Sequence, residues 1–253
     1  MRSRPPLRLF IGWDAAEMRA WNVAQFSARS TASVELDVRR IAMTELSARG
    51  LYRRPTAMLE HGYFDEISGA PMATGHAIAR FLVPALCAYE GWALFTDGDV
   101  LFRKDVAGLF AFADERYAVQ VVQHQHRPIE ATKMEGQQQT VYARKNWSSV
   151  MLFNCGHPSN RALTVDLVNE LPGRDLHRFC WLEDALVGAL PATWNWLEGY
   201  STPIADPALV HFTSGVPDMS GYEHCEFSDE WYLAARICGY RLTRPAKVEK
   251  VSA

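Results

Sequence analysis

At 253 residues, 48% hydrophobic and 22% charged, the chain is long enough for one large domain or two small ones with a substantial core. Its net charge of -3 offers no basic field for nucleic acid, and no apolar run reaches the ~20 residues of a transmembrane helix. Five cysteines (Cys87, Cys155, Cys180, Cys225, Cys238) are spread without a Cys-x-x-Cys pair, which disfavours a disulfide framework or zinc knuckle and suits a reducing cytoplasm. His224 beside Cys225 is the nearest approach to a ligand cluster, and adjacent residues seldom aim at one metal. The charged, proline-bearing start, Met1 to Pro6, does not read as a secretory signal.

Leu7 to Gly12 (LRLFIG) reads as a buried strand that ends at a glycine. Glu17 to Arg29 has helical character, and Val34 to Ile41 is a second strand by its alternation and β-branched content. From Ala48 to Ala73 the punctuation by Gly50, Pro55, Gly62, Gly69 and Pro71 predicts irregular chain. A helix is predicted over about His76 to Tyr89, kinked or started late by Pro84. Trp92 to Phe95 is a short apolar strand that runs into Thr96-Asp97-Gly98-Asp99. Tyr117 to Gln123 and Ser148 to Phe153 read as further buried strands, with a polar, aperiodic, mobile loop between Gln125 and Lys145. Helices are predicted at Ser159 to Leu171, Leu182 to Leu190 and Asp229 to Tyr240. Strands alternating with helices through the first half predict an α/β layer with one continuous, largely parallel central sheet flanked by helices.

The sharpest feature is FTDGDVLF, Phe95 to Phe102. In extended backbone, residues i and i+2 face one side, so Asp97 and Asp99 should point together. Two like charges emerging from a buried strand repel and lose hydration. A hard divalent cation, Mg²⁺ or Mn²⁺, removes both penalties. Gly98, without a side chain, would let a ligand approach the backbone. Such triplets also arise by chance, as at Glu35-Leu36-Asp37. The apolar flanks and the strand end, where ligands of open α/β sheets bind, favour a functional pair here.

On these segments the chain resembles the nucleotide-diphospho-sugar transferases of the GT-A fold, nearest to family 8 glycosyltransferases and their bacterial relatives. LFIGWDAAE resembles the first strand and turn that hold the nucleotide, with Gly12 and with Asp14 in the acidic position. AIARFLVPAL resembles the helix whose arginine, Arg80, faces the donor. ALFTDGDVLF resembles the metal-binding Asp-x-Asp strand. SSVMLFNCG, with Ser149 and Asn154, resembles the strand leading to the donor-sugar pocket. WLEDALVGALPATWNWL resembles the segment carrying the acid near the reacting carbon, and HFTSG the histidine, His211, that completes the metal shell. The resemblance runs from about Leu7 to about Gly215. It departs from the family after His211, where the run His211 to Asp218 carries no lysine, and at Trp147-Ser148-Ser149, where an Asn-Ala-Gly step is usual.

The resemblance implies a single domain over residues 1–253. Its nucleotide-binding half would lie at about 7–115 and its acceptor and donor-sugar half at about 116–253. It implies transfer from a UDP-sugar to a saccharide or glycolipid acceptor, as in polysaccharide biosynthesis, with retention of anomeric configuration. Asp97, Asp99 and His211 would hold Mn²⁺ or Mg²⁺. Glu183 and Asp184 would stand near the anomeric carbon. Missing a lysine, the leaving group would lean on Arg80, the metal, or Lys247. For His211 a satisfied core position is the plain alternative, for Arg80 a solvated helix face, and for Glu183 a helix N-terminus. Trp194, Trp196 and Tyr200 suit either an acceptor sugar or the core. The basic stretch Arg241 to Lys250 suits a solvated tail, or an anionic inner membrane face that carries a lipid-linked acceptor. Among other readings, a sugar-phosphate nucleotidyltransferase would need a glycine-rich phosphate loop after the first strand, which Gly12-Trp13-Asp14 is not. A non-catalytic carbohydrate-binding module would not need acids at a strand end, and a two-carboxylate hydrolase would not need a metal.

Overall fold

The structure is a computed structural model that describes residues 5–60, 62–125, 144 and 146–246. In chain order the elements are β1 (Leu7–Trp13), α1 (Met18–Thr31), β2 (Leu36–Ala42), α2 (Met43–Ala48), β3 (Thr56–Leu59), β4 (Gly62–Asp65), β5 (Ala70–Met72), α3 (Val83–Leu86), β6 (Trp92–Thr96), β7 (Val100–Phe102) and α4 (Ala107–Phe110). They continue with β8 (Val119–Val121), β9 (Val150–Asn154), α5 (Val165–Glu170), α6 (Gly173–His177), β10 (Val187–Ala189), β11 (Trp196–Leu197), β12 (Leu209–His211) and α7 (Ser228–Ile237).

The main sheet has the order β10-β8-β9-β6-β1-β2. Its pairings are parallel except around β9, which runs against both β6 and β8. Alternate residues feed two cores, as a sheet covered on both faces requires. Phe10, Phe95, Met151 and Phe153 pack on one face beneath α3 and α5, while Leu9, Ile11, Leu94 and Leu152 pack on the other against α1. Each such side chain, fully buried, stabilises the fold by about 1.5–3 kcal/mol.

The expectation of one continuous sheet needs correction. The chain leaves the main sheet after Thr96, and Val100–Phe102 restarts in a separate sheet of order β11-β12-β7, antiparallel to β12. Asp97 thus ends one sheet and Asp99 precedes the next. A second correction concerns residues 48–73, where β3, β4 and β5 form an antiparallel sheet. Of the glycines that suggested irregularity, Gly62 opens β4 and Gly69, with φ +58°, reverses the chain between β4 and β5, in the left-handed region glycine enters without strain.

The helix predicted at Leu182 to Leu190 is instead a 3₁₀ turn, Asp184–Leu186, leading into β10. Val187 to Ala189 pair in parallel with β8, and edge pairing outweighs the local helical pattern. The predicted helix at His76 to Tyr89 starts late. A 3₁₀ turn over Ala79–Leu82 precedes α3, and Pro84 sits in the first turn, where its missing N–H costs nothing. Ser159 to Leu171 splits into a 3₁₀ turn and α5, whose Thr164 hydroxyl caps the Leu167 N–H at 3.0 Å. Of the predicted loop from Gln125 to Lys145, all but Gln125 and Arg144 lies outside the described residues.

Candidate metal and donor site

Asp97 follows the last residue of β6, and its backbone N–H donates to the Ser149 carbonyl at 2.9 Å. Its carboxylate has divided duties. Oδ1 lies 2.7 Å from Arg80 Nη2 and 3.2 Å from His76 Nε2, whereas Oδ2 faces His211 Nε2 at 4.0 Å. Burial works to raise the Asp97 pKa, but Arg80, His76 and His211 outweigh it and hold the carboxyl well below the usual range. Arg80 is itself buried. It donates to the Ser148 carbonyl at 2.9 Å and lies 5.0 Å over the Phe95 ring.

Asp99 is brought opposite by the second sheet. Its carbonyl accepts the Phe212 N–H at 2.9 Å, which ties it to the end of β12 and so to His211. His211 Nε2 stands 3.2 Å from Asp99 Oδ1, and its Nδ1 stands 3.1 Å from the Asn195 amide oxygen. One ligand atom from each of Asp97, Asp99 and His211 lies within 4.8 Å of the others. Burial pushes the His211 pKa down, but Asp99 and Asp97 outweigh it and raise the imidazole above its ordinary value. The cluster is thus short of positive charge.

Whether a hard divalent cation fits here is answered by Asp99. Its Oδ1 is buried and has no hydrogen-bond partner among the described residues, a cost proteins seldom bear without a reason. An octahedral ion with ~2.1 Å bonds holds neighbouring donors about 3 Å apart, close to the 3.2 Å between Asp99 Oδ1 and His211 Nε2. Two carboxylates and one imidazole suit Mn²⁺ or Mg²⁺.

The cluster opens on a cavity of about 780 Å³, within the usual size of small-molecule sites. One wall is the stretch from Ser68 to Ala73, held in place by β4 and β5. The lining also includes Ser148, Ser149 and, from α6 and the residue after it, Arg174, His177 and Arg178. The spacing of those three bases, i, i+3 and i+4, puts them on one helical face. Ser148 Oγ meets His177 Nδ1 at 2.7 Å; burial, then Arg80, pushes the His177 pKa down to about 3, so this ring is neutral. Glu17, before the first turn of α1, also lines the cavity, and burial followed by Asp99, Asp97 and Asp14 pushes its pKa up to about 8.

Of the residues singled out in the sequence, Asp97, Asp99, His211, Arg80 and Ser149 come together. Gly98 packs against the first strand: a Cβ there would stand 2.5 Å from the Gly12 carbonyl oxygen, so close packing of two chain segments requires a glycine. Gly12 likewise lies under the His76 ring, with a Cβ 2.3 Å from it. Asp14 spends both oxygens on backbone, Oδ2 on Gly75 N–H at 2.8 Å and Oδ1 on Ala16 N–H at 3.0 Å. It braces the turn that carries His76.

Asn154 is displaced from the site by strand direction. Because β9 runs against β6, Asn154 pairs with Trp92 and Val150 with Thr96, leaving Asn154 roughly 13 Å from the site end at ~3.3 Å per residue. Glu183 and Asp184 are exposed on the turn before β10, and Asp184 pairs with Arg144. Neither is among the described residues that line the cavity. Trp194 and Trp196 are core residues, while Tyr200 is exposed. Lys247 lies outside the described residues, as does the end of the basic tail. Arg244 from that tail is tied to Asp229 and Ser228 of α7.

His76, Ser148, His177 and Asn195 were not foreseen. His76 and Arg80 carried a signal, since a basic pair four residues apart in an apolar run shares one face. So did Asn195, a lone amide between two tryptophans.

No family model matches the chain. Among solved structures it is similar to the WbbM bifunctional glycosyltransferase, with a TM-score of 0.60 and 14% identity over 93% of this chain. It is also similar to the glycosyltransferase GlyE of Streptococcus pneumoniae TIGR4, with a TM-score of 0.57 and 15% identity over 92%. The chain spans 50% and 60% of those two proteins. The galactosyltransferase LgtC, solved with donor and acceptor sugar analogues, matches over nearly its whole length: TM-score 0.54, 13% identity, 91% of this chain and 96% of that one. The fold is therefore that of the GT-A glycosyltransferases. Within it, the chain belongs to the family of Protein CDI of Arabidopsis thaliana, sharing 40% identity over 233 residues, 90% of this chain and 85% of that protein.

Proposed function

We propose that the protein is a metal-dependent glycosyltransferase that moves a sugar from a UDP-sugar to a saccharide or glycolipid acceptor, retaining anomeric configuration. The observation that carries this reading is the Asp97, Asp99 and His211 cluster, with its orphaned Asp99 oxygen, opening on a nucleotide-sized cavity in a GT-A fold. These three residues would hold Mn²⁺ or Mg²⁺, which when bound supplies Lewis-acid stabilisation of the charge that grows on a departing diphosphate.

The chain's own groups do the rest. Arg80 and His76 keep Asp97 anionic and aim its Oδ2 toward His211. Arg174 and Arg178 offer planar donors to phosphate oxygens from the cavity wall, in place of the family lysine missing after His211. Among the described residues the cavity's carboxylates are Asp97, Asp99 and Glu17. The first two belong to the metal cluster and the third is protonated at neutral pH in the metal-free protein. That favours approach of the acceptor on the leaving-group face over attack by a protein carboxylate. Both halves of the chain line the one cavity, from Glu17 to Asp99 and from Asn146 to Thr213, which supports a single catalytic domain. No described helix is long and apolar enough to cross a membrane, and a cytoplasmic site is part of this reading.

A thermal-shift panel of nucleoside diphosphates and nucleotide sugars, each with Mn²⁺ and with EDTA, tests it. Stabilisation by UDP or a UDP-sugar only when Mn²⁺ is present is the expected result. The absence of a shift with every nucleotide would overturn the assignment.

A further inference from the structure

Asn195 is fully buried between Trp194 and Trp196 and precedes the short strand β11, whose Leu197 pairs with His211 of β12. Its amide touches both halves of the candidate metal cluster. Oδ1 lies 3.1 Å from His211 Nδ1, and Nδ2 donates to Ser149 Oγ at 2.9 Å. Ser149 Oγ in turn donates its proton to the Asn146 carbonyl at 2.7 Å. Having given that proton away, the hydroxyl can only accept from Asn195, which fixes which end of the amide is nitrogen. The other end is then the oxygen, and an oxygen beside Nδ1 accepts, so His211 Nδ1 carries a proton. In the neutral ring this leaves the Nε2 lone pair bare, pointing at Asp99 Oδ1.

The same amide reaches the other ligand. Ser149, clamped by Asn195, uses its carbonyl to accept the Asp97 backbone N–H at 2.9 Å. One side chain therefore joins the strand end that presents Asp97 to the ring that faces Asp99. Flipping the amide would set two acceptors against each other at Ser149.

Resting on the reading that Asp97, Asp99 and His211 hold a cation, we propose that Asn195 is a positioning residue for that site. It sets the His211 tautomer in which Nε2 is the ligand atom and locks the spacing between His211 and Asp97. A neutral amide does this without adding a third negative charge to a cluster that already holds two carboxylates.

The test measures binding of Mn²⁺ alone, by electron paramagnetic resonance of the free ion, in wild type, Asn195→Leu and Asn195→Asp. Leucine is nearly isosteric and removes every hydrogen bond; aspartate keeps the acceptor for Nδ1. Asn195→Leu is expected to weaken Mn²⁺ binding 10–100-fold, and Asn195→Asp, which keeps the acceptor for Nδ1 but sets an acceptor against Ser149 Oγ, to weaken it less than Asn195→Leu. Equal affinity in wild type and Asn195→Leu would overturn the proposal. A wild type that takes up no Mn²⁺ would overturn the metal reading and this inference with it, a different result. Should Asn195→Leu not fold, the wild type decides. Nitrogen-15 histidine spectra of the Zn²⁺-loaded protein should show the His211 proton on Nδ1, and a proton on Nε2 would overturn the assignment.

Discussion

Among the described residues, the Arg54–Asp65 pair is buried and closed, whereas the Arg80–Asp97 pair at the cavity edge is open. Arg54 grips both oxygens of Asp65, Nε on Oδ1 at 2.8 Å and Nη2 on Oδ2 at 2.5 Å, and spends Nη1 on the Val168 and Leu171 carbonyls. Ser68 N–H completes Asp65. Both side chains are fully shielded, every strong group is matched, and the result ties β4 to the end of α5. Arg80 and Asp97 are joined at one oxygen only; Asp97 keeps its second oxygen toward His211 and the cavity, and the buried Oδ1 of neighbouring Asp99, 3.2 Å from His211 Nε2, has no well-aligned hydrogen-bond partner among the described residues. The first pair spends its charges on the fold, while the second leaves charge unspent where a ligand can meet it.

Breaking the closed pair should have the largest effect. Arg54→Met leaves Asp65 charged and buried with only the Ser68 N–H for a partner, with an expected loss of about 3–5 kcal/mol of stability in urea unfolding. A loss below 1 kcal/mol would show that the closure counts for little. At the open pair the expectation reverses. Asp99→Asn should lower Mn²⁺-dependent transfer by roughly 10²–10³-fold without lowering the melting temperature in EDTA, because it removes one of two facing carboxylates. Full activity in that variant would remove the metal assignment.

A smaller effect sharpens the contrast through pH. The Glu17 pKa stands at about 8 in the folded protein against an ordinary value of 4.5. Between those values the folded state keeps a proton that the unfolded state has lost, so this group makes stability fall as pH rises through the window. In EDTA, wild type should lose more melting temperature between pH 5 and pH 8 than Glu17→Gln does, and parallel curves for the two would contradict the raised pKa. The smallest effect belongs to a second acidic pair. Glu183→Gln and Asp184→Asn should leave stability within about 0.5 kcal/mol and transfer unchanged, since both residues are exposed and away from the cavity. A hundredfold loss of transfer in either would return them to the site.

Much of the site was legible because its chemistry is local. Two aspartates around a glycine between apolar runs announce a charge problem that a cation solves, and Arg80 sits in a run too apolar for a solvated face. Asn154 and Glu183 show where local reading stops. Asn154 is five residues from Ser149 on the same segment, yet β9 runs antiparallel to β6 and carries it to the far end of the sheet. Glu183 and Asp184 open a run that looks helical, but pairing of Val187–Ala189 with β8 makes the end of that run an edge strand and leaves the two carboxylates exposed on the turn before it. His76 and Asn195 became visible only once the chain was folded, because what they touch is distant in sequence.

The amino-acid sequence by itself determined the hydrophobic strands β1, β2, β6 and β9, the α/β layering and the acidic pair, since period-2 burial and repulsion between neighbouring charges act over a few residues. Tertiary structure alone decided that Asp97 and Asp99 close two different sheets, that His211 meets them across the antiparallel pairing of β7 and β12, and that Asn195 holds the ring. Strand direction and the choice of sheet partner are set by the packing of the whole core. They are therefore not written in the spacing of any one segment.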